Sequence, residues 1–403
     1  MLMDDWLNAS AKAEREWQRL CDAYLPIRVK RSIWRYSRNR NRDDLLRHDT
    51  VNDVNNQDLS MRRLLPLFVV FAAASSVLAA PKPRPTVPPG IGIMDLPDIY
   101  DSEPPPDPFT RPGLINSHVK GIMWRETWDR LAKNGVHGAL DWTYLDKCFS
   151  AADGYNKLMA IEILAGNFAP ASFFYLPGAK YIITAATGLK TTVPFDPVFQ
   201  TEWEAVQTAL KNRYETDVRL KYVKMCGPGH GSESFFATDP TEWDACNTLA
   251  VSMGYTDCAA GWKAGVTWII NMYARVWDAK PFLLCTGIPY DDTHGGTTDL
   301  QAMFNYGDNT YRGRFGARAD DLYSSTLPAN GSLSATVIQQ ISPHLSATGF
   351  QMGTSISDVD IFNGALVHGT DLGAHFIEVF SGNANRSAYY PALDAANARM
   401  RVP

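Results

Sequence analysis

From residue 114 onward, short apolar runs alternate with amphipathic stretches. The runs VKGIMW (119–124), KLMAIEIL (157–164), LKYVKMC (220–226), PFLLCTG (281–287), RFGARAD (314–320), GFQMGT (349–354) and AHFIEVF (374–380) have the length and apolar content of buried strands. Between them, YLDKCFSAADG, DPVFQTEWEAVQTALKNRY, AAGWKAGVTWIINMYARVW and SLSATVIQQISPHL carry apolar residues at helical spacing. The second of these opens on Asp196 and Pro197, a side-chain acceptor followed by a residue that needs no donor in the first turn. Short apolar strands joined by helices predict parallel βαβ units, because a parallel strand pair needs a crossover long enough to hold a helix. Seven such units and one indistinct one predict an α/β fold of the (β/α)8 TIM-barrel kind rather than an open sheet. No glycine fingerprint for a dinucleotide follows the first strand.

Upstream the pattern changes. Residues 61–80, MRRLLPLFVVFAAASSVLAA, place two arginines before an apolar core and small residues at its end, the layout of a secretory signal peptide. Because it begins at Met61, residues 1–60 read as a disordered or spurious extension; the other reading is a signal anchor with a basic tail, although the core is short for a bilayer span. Residues 81–110, with PKPRPTVPPG and DSEPPPDPFTRPG, read as a proline-rich linker, which puts the start of the folded domain, 111–403, near residue 111.

The 403-residue chain is 45% hydrophobic and 20% charged, with a net charge of −5. That is an ordinary globular composition, and no basic stripe follows residue 90, which argues against a nucleic-acid partner. Aromatic residues are abundant, 11 Trp, 17 Tyr and 18 Phe, and suit either a large core or the walls of a sugar cleft. Export would bring oxidising conditions, and Cys246 and Cys258, flanking a short loop, are the expected disulfide. Cys226 and Cys285 lie in apolar runs and read as buried thiols. Without CxxC or paired-histidine spacing, neither a metal nor a cofactor is expected. Asn330 and Asn385 open glycosylation sequons.

In a barrel of this kind the active site is built at the carboxyl ends of the strands. The polar residues expected there are Arg125, Glu126, Glu162, Asn167, His230, Glu233, Tyr290, Asp291, Asp292, Asp320, Asp321, Gln351 and Glu378. The set is rich in carboxylates and poor in histidine, and no GxSxG elbow occurs, so serine–histidine–acid hydrolysis is disfavoured. Two carboxylates suffice for glycoside hydrolysis, one protonating the leaving oxygen and the other attacking the anomeric carbon or activating water. Glu233, in the glycine-rich CGPGHGSESF, and Glu378, at the end of the last apolar run, are the candidates. GPGHGS lacks the lysine of a phosphate loop.

Several segments together resemble clan-A glycoside hydrolases of the β-galactosidase type. They are VKGIMWRETWDRLAKNGVHGALDWTYLDKCFSAA, where Trp128, Gly138, Asp141, Trp142, Leu145 and Asp146 match; KLMAIEILAGNFAP; VPFDPVFQTEWEAVQTALKNRYETDVRLKYVKMCGPGHGSES; and GFQM with LGAHFIEVF. Departures are Ala132-Lys133 in place of Glu-Pro and Ser232 in place of asparagine before the acid. The resemblance implies a two-glutamate, retaining glycosidase with Glu233 as acid/base and Glu378 as nucleophile. Trp124, Trp128, Trp142 and Tyr290 would offer sugar platforms, His230 and Gln351 would orient hydroxyls, and Glu162 and Asn167 would line the site. In the family three strands separate the two carboxylates, whereas four are counted here. The partner implied is a carbohydrate, acted on outside the cell, with a membrane involved only if residues 61–80 remain as an anchor. A catalytically silent sugar-binding barrel is the alternative. Sequencing the N-terminus of the exported protein is expected to place it at residue 80 or 81, after Val77-Leu78-Ala79 or Leu78-Ala79-Ala80; an intact 61–80 segment would establish the anchor instead.

Overall fold

All seven expected strands form, and an eighth lies upstream of them. In this computed structural model the residues described are 90–97, 106–185, 187–225, 237, 239–344 and 346–400. In chain order the strands are β1 (Gly92–Leu96), β2 (Gly121–Thr127), β3 (Leu158–Leu164), β4 (Tyr181–Ile183), β5 (Lys190–Thr192), β6 (Leu220–Lys224), β7 (Phe282–Cys285), β8 (Phe315–Leu322), β9 (Gly349–Met352) and β10 (Phe376–Phe380). The short pair β4–β5 forms an antiparallel hairpin; the others close a parallel barrel in the order β1-β10-β9-β8-β7-β6-β3-β2. The (β/α)8 architecture expected from the alternation of strands and helices is therefore the fold observed.

The eighth strand corrects the domain boundary. Gly92–Leu96 lies inside the stretch 81–110 that reads as linker, and it closes the barrel by pairing with β10 on one side and β2 on the other. Prolines on both sides hide it in the sequence, because a five-residue run too short to show alternation carries little periodic signal. All five of its residues are buried. The signal-like segment 61–80 and residues 1–60 lie outside the described residues, as do Cys226, His230 and Glu233. No helix among the described residues is long and apolar enough to cross a membrane.

The helix Pro197–Tyr214 starts as its sequence requires: the Asp196 carboxylate accepts from the Val198 amide at 3.0 Å, with Pro197 in the first turn. Cys246 and Cys258 are joined, with their Cα atoms 5.4 Å apart, and this ties the helix Pro240–Ser252 to the helix Cys258–Val276. Cys148 and Cys285 are buried thiols. Helices over Gly296–Tyr311, Val359–Asp371 and Tyr390–Arg399, in addition to Pro240–Ser252, complete the outer layer and were not anticipated from the pattern.

Strand residues alternate between two cores. One face packs outward against the helices through Ile122, Ile161, Val223, Leu284, Phe350 and Ile377. The other fills the barrel with Met94, Met123, Ala160, Tyr222, Leu283 and Phe376. At the centre, the Tyr222 and Phe376 rings stack with centroids 4.4 Å apart. Gly349 makes room for them: a Cβ there would lie 2.1 Å from the Phe376 carbonyl oxygen.

Asp95 turns outward from β1 and is fully buried beneath the short helix Pro112–Ile115. Its carboxyl accepts from Ser381 Oγ at 2.9 Å and Asn385 Nδ2 at 3.4 Å. Burial pushes its pKa from 3.8 up to about 6, against the pull of these donors and of the nearby Arg111 and Lys157 charges. A carboxyl whose folded pKa is raised binds its proton more tightly folded than unfolded, so its contribution is fully present below pH 3.8 and is lost as pH rises through 6. Asp95→Asn should remove this loss. Urea unfolding at several pH values should show the stability of the variant relative to wild type rising by up to about 3 kcal/mol between pH 4 and pH 7, at about 1.4 kcal/mol per pKa unit. A pH-independent difference would contradict the assignment.

Candidate functional site at the barrel mouth

Above the apolar plug, toward the carboxyl ends of the strands, the inward positions become charged. Lys224 follows Tyr222 on β6, Glu162 follows Ala160 on β3, and Glu378 follows Phe376 on β10; Arg318 occupies the matching place on β8. A period of two puts each on the same side as the plug residue two places earlier. Register brings them together, since Glu162 pairs with Lys224 across β3–β6 and Glu378 with Gln351 across β10–β9.

The charges are matched in the dry interior. Lys224 Nζ lies 2.5 Å from Glu162 Oε1, both side chains being almost completely buried. Arg318 Nε donates to Glu378 Oε2 at 2.8 Å, and the Tyr222 hydroxyl donates to Glu378 Oε1 at 2.9 Å. Burial and the Glu378 charge hold the Tyr222 pKa well above its usual value, so the phenol stays a donor. Arg318 Nη1 also reaches Asp320 Oδ1 at 3.0 Å and Cys285 Sγ at 3.6 Å. Asp320 differs from Glu378 in exposure: its side chain is 24% accessible, whereas Glu378 is 0%. Asp321, the next residue, is half-buried, and burial raises its pKa.

Around this layer, Arg125 on β2 is half-buried and donates from Nη2 to the Pro97 carbonyl at 3.0 Å. Asn167 sits on the turn Gly166–Phe168 that follows β3; its Oδ1 is buried and meets no donor among the described residues. Gln351 is half-buried on β9. Among the described residues no three His, Cys, Asp or Glu gather as metal ligands.

The structure thus brings Glu162, Gln351 and Glu378 to one layer and places Asn167 on a turn at the same end. It removes others. Trp128 is completely buried outside the barrel among Phe173, Phe199 and Trp203, 5.4–6.2 Å between ring centroids, so it presents no face to a sugar. Trp124 is equally buried, against the edge of Tyr144. Tyr290 is buried between Trp243 and Trp262, its hydroxyl donating to Asp299 at 2.6 Å. Bulky aromatics supply the largest apolar area in the shell between strands and helices, and that use claims these three. Asp291 caps the turn Asp292–His294, and Asp292 accepts from the Thr297 amide, both as local caps. Glu126 points away from the layer and pairs with Arg130.

Sequence reasoning missed Arg318, Lys224 and Tyr222 as parts of the site. The signal was present: a charged residue two places after a bulky or small apolar one, on a strand otherwise buried, marks the inward column of a barrel. The count of four strands from the Glu233 segment to Glu378 also stands. β1 makes β6 the fourth barrel strand, β9 the seventh and β10 the eighth. Three strands on from β6 the chain carries Gln351, an amide, and Glu378 falls one strand later with both oxygens engaged and no accessible surface.

No protein-family model matches the sequence, and no curated protein matches it. Solved structures do match the fold. The catalytic domain of β-amylase from Paenibacillus polymyxa aligns over 75% of this chain and 95% of its own at 10% identity, with a TM-score of 0.54. A cold-adapted β-galactosidase from Rahnella sp. R3 aligns over 78% of this chain at 10% identity, with a TM-score of 0.50; the match spans 57% of that enzyme. At this identity the likeness is one of fold: the barrel of this chain is similar to the barrels of these glycosidases.

Removing one partner of a buried ion pair strands the other charge in a low dielectric, at about 3–5 kcal/mol. Arg318→Met and Glu378→Gln should each destabilise the protein by roughly that amount in chemical denaturation, while the double variant should lose clearly less than the sum. Strict additivity would show that the two groups do not depend on each other.

Proposed function

We propose that this protein is a glycoside hydrolase working at the carboxyl end of the barrel, with Glu233 as the proton donor. The observation that carries the reading is the inward layer of carboxylates and cations at that end, Glu162–Lys224 and Glu378–Arg318–Asp320. Such a layer suits the cation-like transition state of glycosidic cleavage, in which fixed carboxylates oppose developing positive charge. Similarity of fold to a β-amylase and a β-galactosidase supports the same class. The disulfide fits an exported protein.

The second carboxylate we place at Asp320 rather than Glu378. It follows Arg318 by two places on β8, keeps solvent access, and lies 3.0 Å from Arg318 Nη1. Glu378, enclosed by Tyr222 and Arg318, then acts by positioning Arg318. Asp320 either attacks the anomeric carbon or activates water, and the anomer first released, read by NMR, separates retention from inversion. A silent sugar-binding barrel is the second reading, favoured by the amide Gln351 on the seventh barrel strand; it predicts sugar binding without turnover.

Glu233→Gln should lower turnover of unactivated glycosides by about 10²–10⁴, the range of general acid catalysis, and leave aryl glycosides with good leaving groups much less affected. Asp320→Asn should slow both classes. Equal loss on both for the Glu233 variant would contradict proton donation, and full activity of the Asp320 variant would return the second role to another carboxylate.

A further inference from the structure

Between β3 and the helix Pro197–Tyr214 the chain makes an excursion that the barrel does not need. It comprises the turn Gly166–Phe168, the 3-10 segment Ala171–Tyr175 and the hairpin β4–β5. Its aromatic residues are poorly covered: Tyr175 is 78% exposed, Tyr181 36%, and the neighbouring Ile183 48%. A soluble protein seldom leaves large apolar groups clustered at its surface without a use for them. Phe174 meets Tyr181 edge to face at 5.5 Å, and Lys190 Nζ lies 4.5 Å from the Tyr181 ring centroid, 5.3 Å from Tyr175 and 5.8 Å from Phe174. The ammonium thus gathers three rings into one patch.

Charge singles this patch out as well. The segment 165–195 contains Lys180 and Lys190 and no Asp or Glu, in a chain whose net charge is −5. Among the described residues Lys190 has rings for neighbours and no carboxylate partner. The patch is also held firmly. Glu242 Oε1 accepts from the Ala185 amide at 2.6 Å, tying the hairpin to the helix Pro240–Ser252, and Asp196 accepts from the Lys180 amide at 2.9 Å. Since the excursion leaves the carboxyl end of β3 and is anchored on the helix that follows the Glu233 segment, it belongs to the rim of the proposed active site.

We propose that this excursion is a docking platform for an anionic carbohydrate chain, a polymer bearing carboxylate groups such as a polyuronate. Tyr175 and Tyr181 supply faces for the CH surfaces of sugar rings, and Lys190 meets the negative charge. The proposal rests on the glycosidase reading for its substrate class and deepens it, from any glycoside to a long acidic one bound away from the cleaved bond.

The test scores binding without turnover, so its outcome is separate from that of the catalytic proposal. In affinity electrophoresis of the full chain at low salt, soluble polygalacturonate should retard the wild type more than neutral dextran does. The double variant Tyr175→Ala/Tyr181→Ala should lose at least about fivefold in affinity, the threshold loss for truncating an interface anchor. Lys190→Met, which keeps the alkyl packing on the rings, should abolish the preference for the acidic polymer. Both variants should unfold within a few degrees of the wild type. Equal retardation of the wild type and the double variant, or no retardation of the wild type by polygalacturonate, overturns the proposal. So does a dimer of the wild type that the double variant fails to form, since the patch would then be a contact between copies.

Discussion

A guanidinium inside a barrel sets the terms for the rest of this structure. Arg318 has no solvent exposure, and burying an unpaired charge would cost several kcal/mol or more. It is matched from two sides, by Glu378 within the barrel and by Asp320 toward the mouth. These two carboxylates differ because of their depth. Glu378 has both oxygens filled by Tyr222 and Arg318, so it is fixed and sealed. Asp320 touches the same cation from the edge of the solvent, with its side chain partly accessible. One cation thereby joins an enclosed carboxylate on β10 to a partly accessible one on β8, across the intervening β9.

That arrangement requires a closed barrel, and closure depends on β1. Without Gly92–Leu96, β2 and β10 would be open edges and the charged layer would meet water laterally. The strand is held from outside as well as through its ladder. The Ile93 amide donates to Asn397 Oδ1 at 2.9 Å, and Asp95 is gripped by Ser381 and Asn385, all from the last segments of the chain. The first strand and the final helices therefore order each other. The raised pKa of Asp95 is a consequence of packing its carboxyl into that junction rather than leaving it in water.

Much of the fold was legible in the sequence, because it is written in periodicity. Each of the seven runs of five or more residues that alternate or are uniformly apolar became a barrel strand, and the Asp196–Pro197 signal became a cap. The Cys246–Cys258 bridge was legible from the short spacing of the two cysteines. The strand set between prolines was not, since five residues show too little pattern. The site was less legible. A tryptophan looks the same in sequence whether it lines a cleft or fills the shell under a helix, and Trp128 and Tyr290 do the latter. Glu378 was identified as an important carboxylate, but its depth, which decides its role, comes from Arg318 and Tyr222, residues distant in sequence.

The described elements before and after Glu233 in the chain are each fixed by charged side chains. On β6, Lys224 is locked to Glu162 on β3. The helix Pro240–Ser252 opens with a capping box, in which Asp239 caps the first turn and Glu242 faces back to the Asp239 amide. The same Glu242 carboxylate holds the Ala185 amide of the hairpin. One buried carboxylate therefore ties the start of the helix Pro240–Ser252 to the aromatic excursion. A displacement of the hairpin would be felt at the start of that helix, because Glu242 cannot follow one partner without loosening the other.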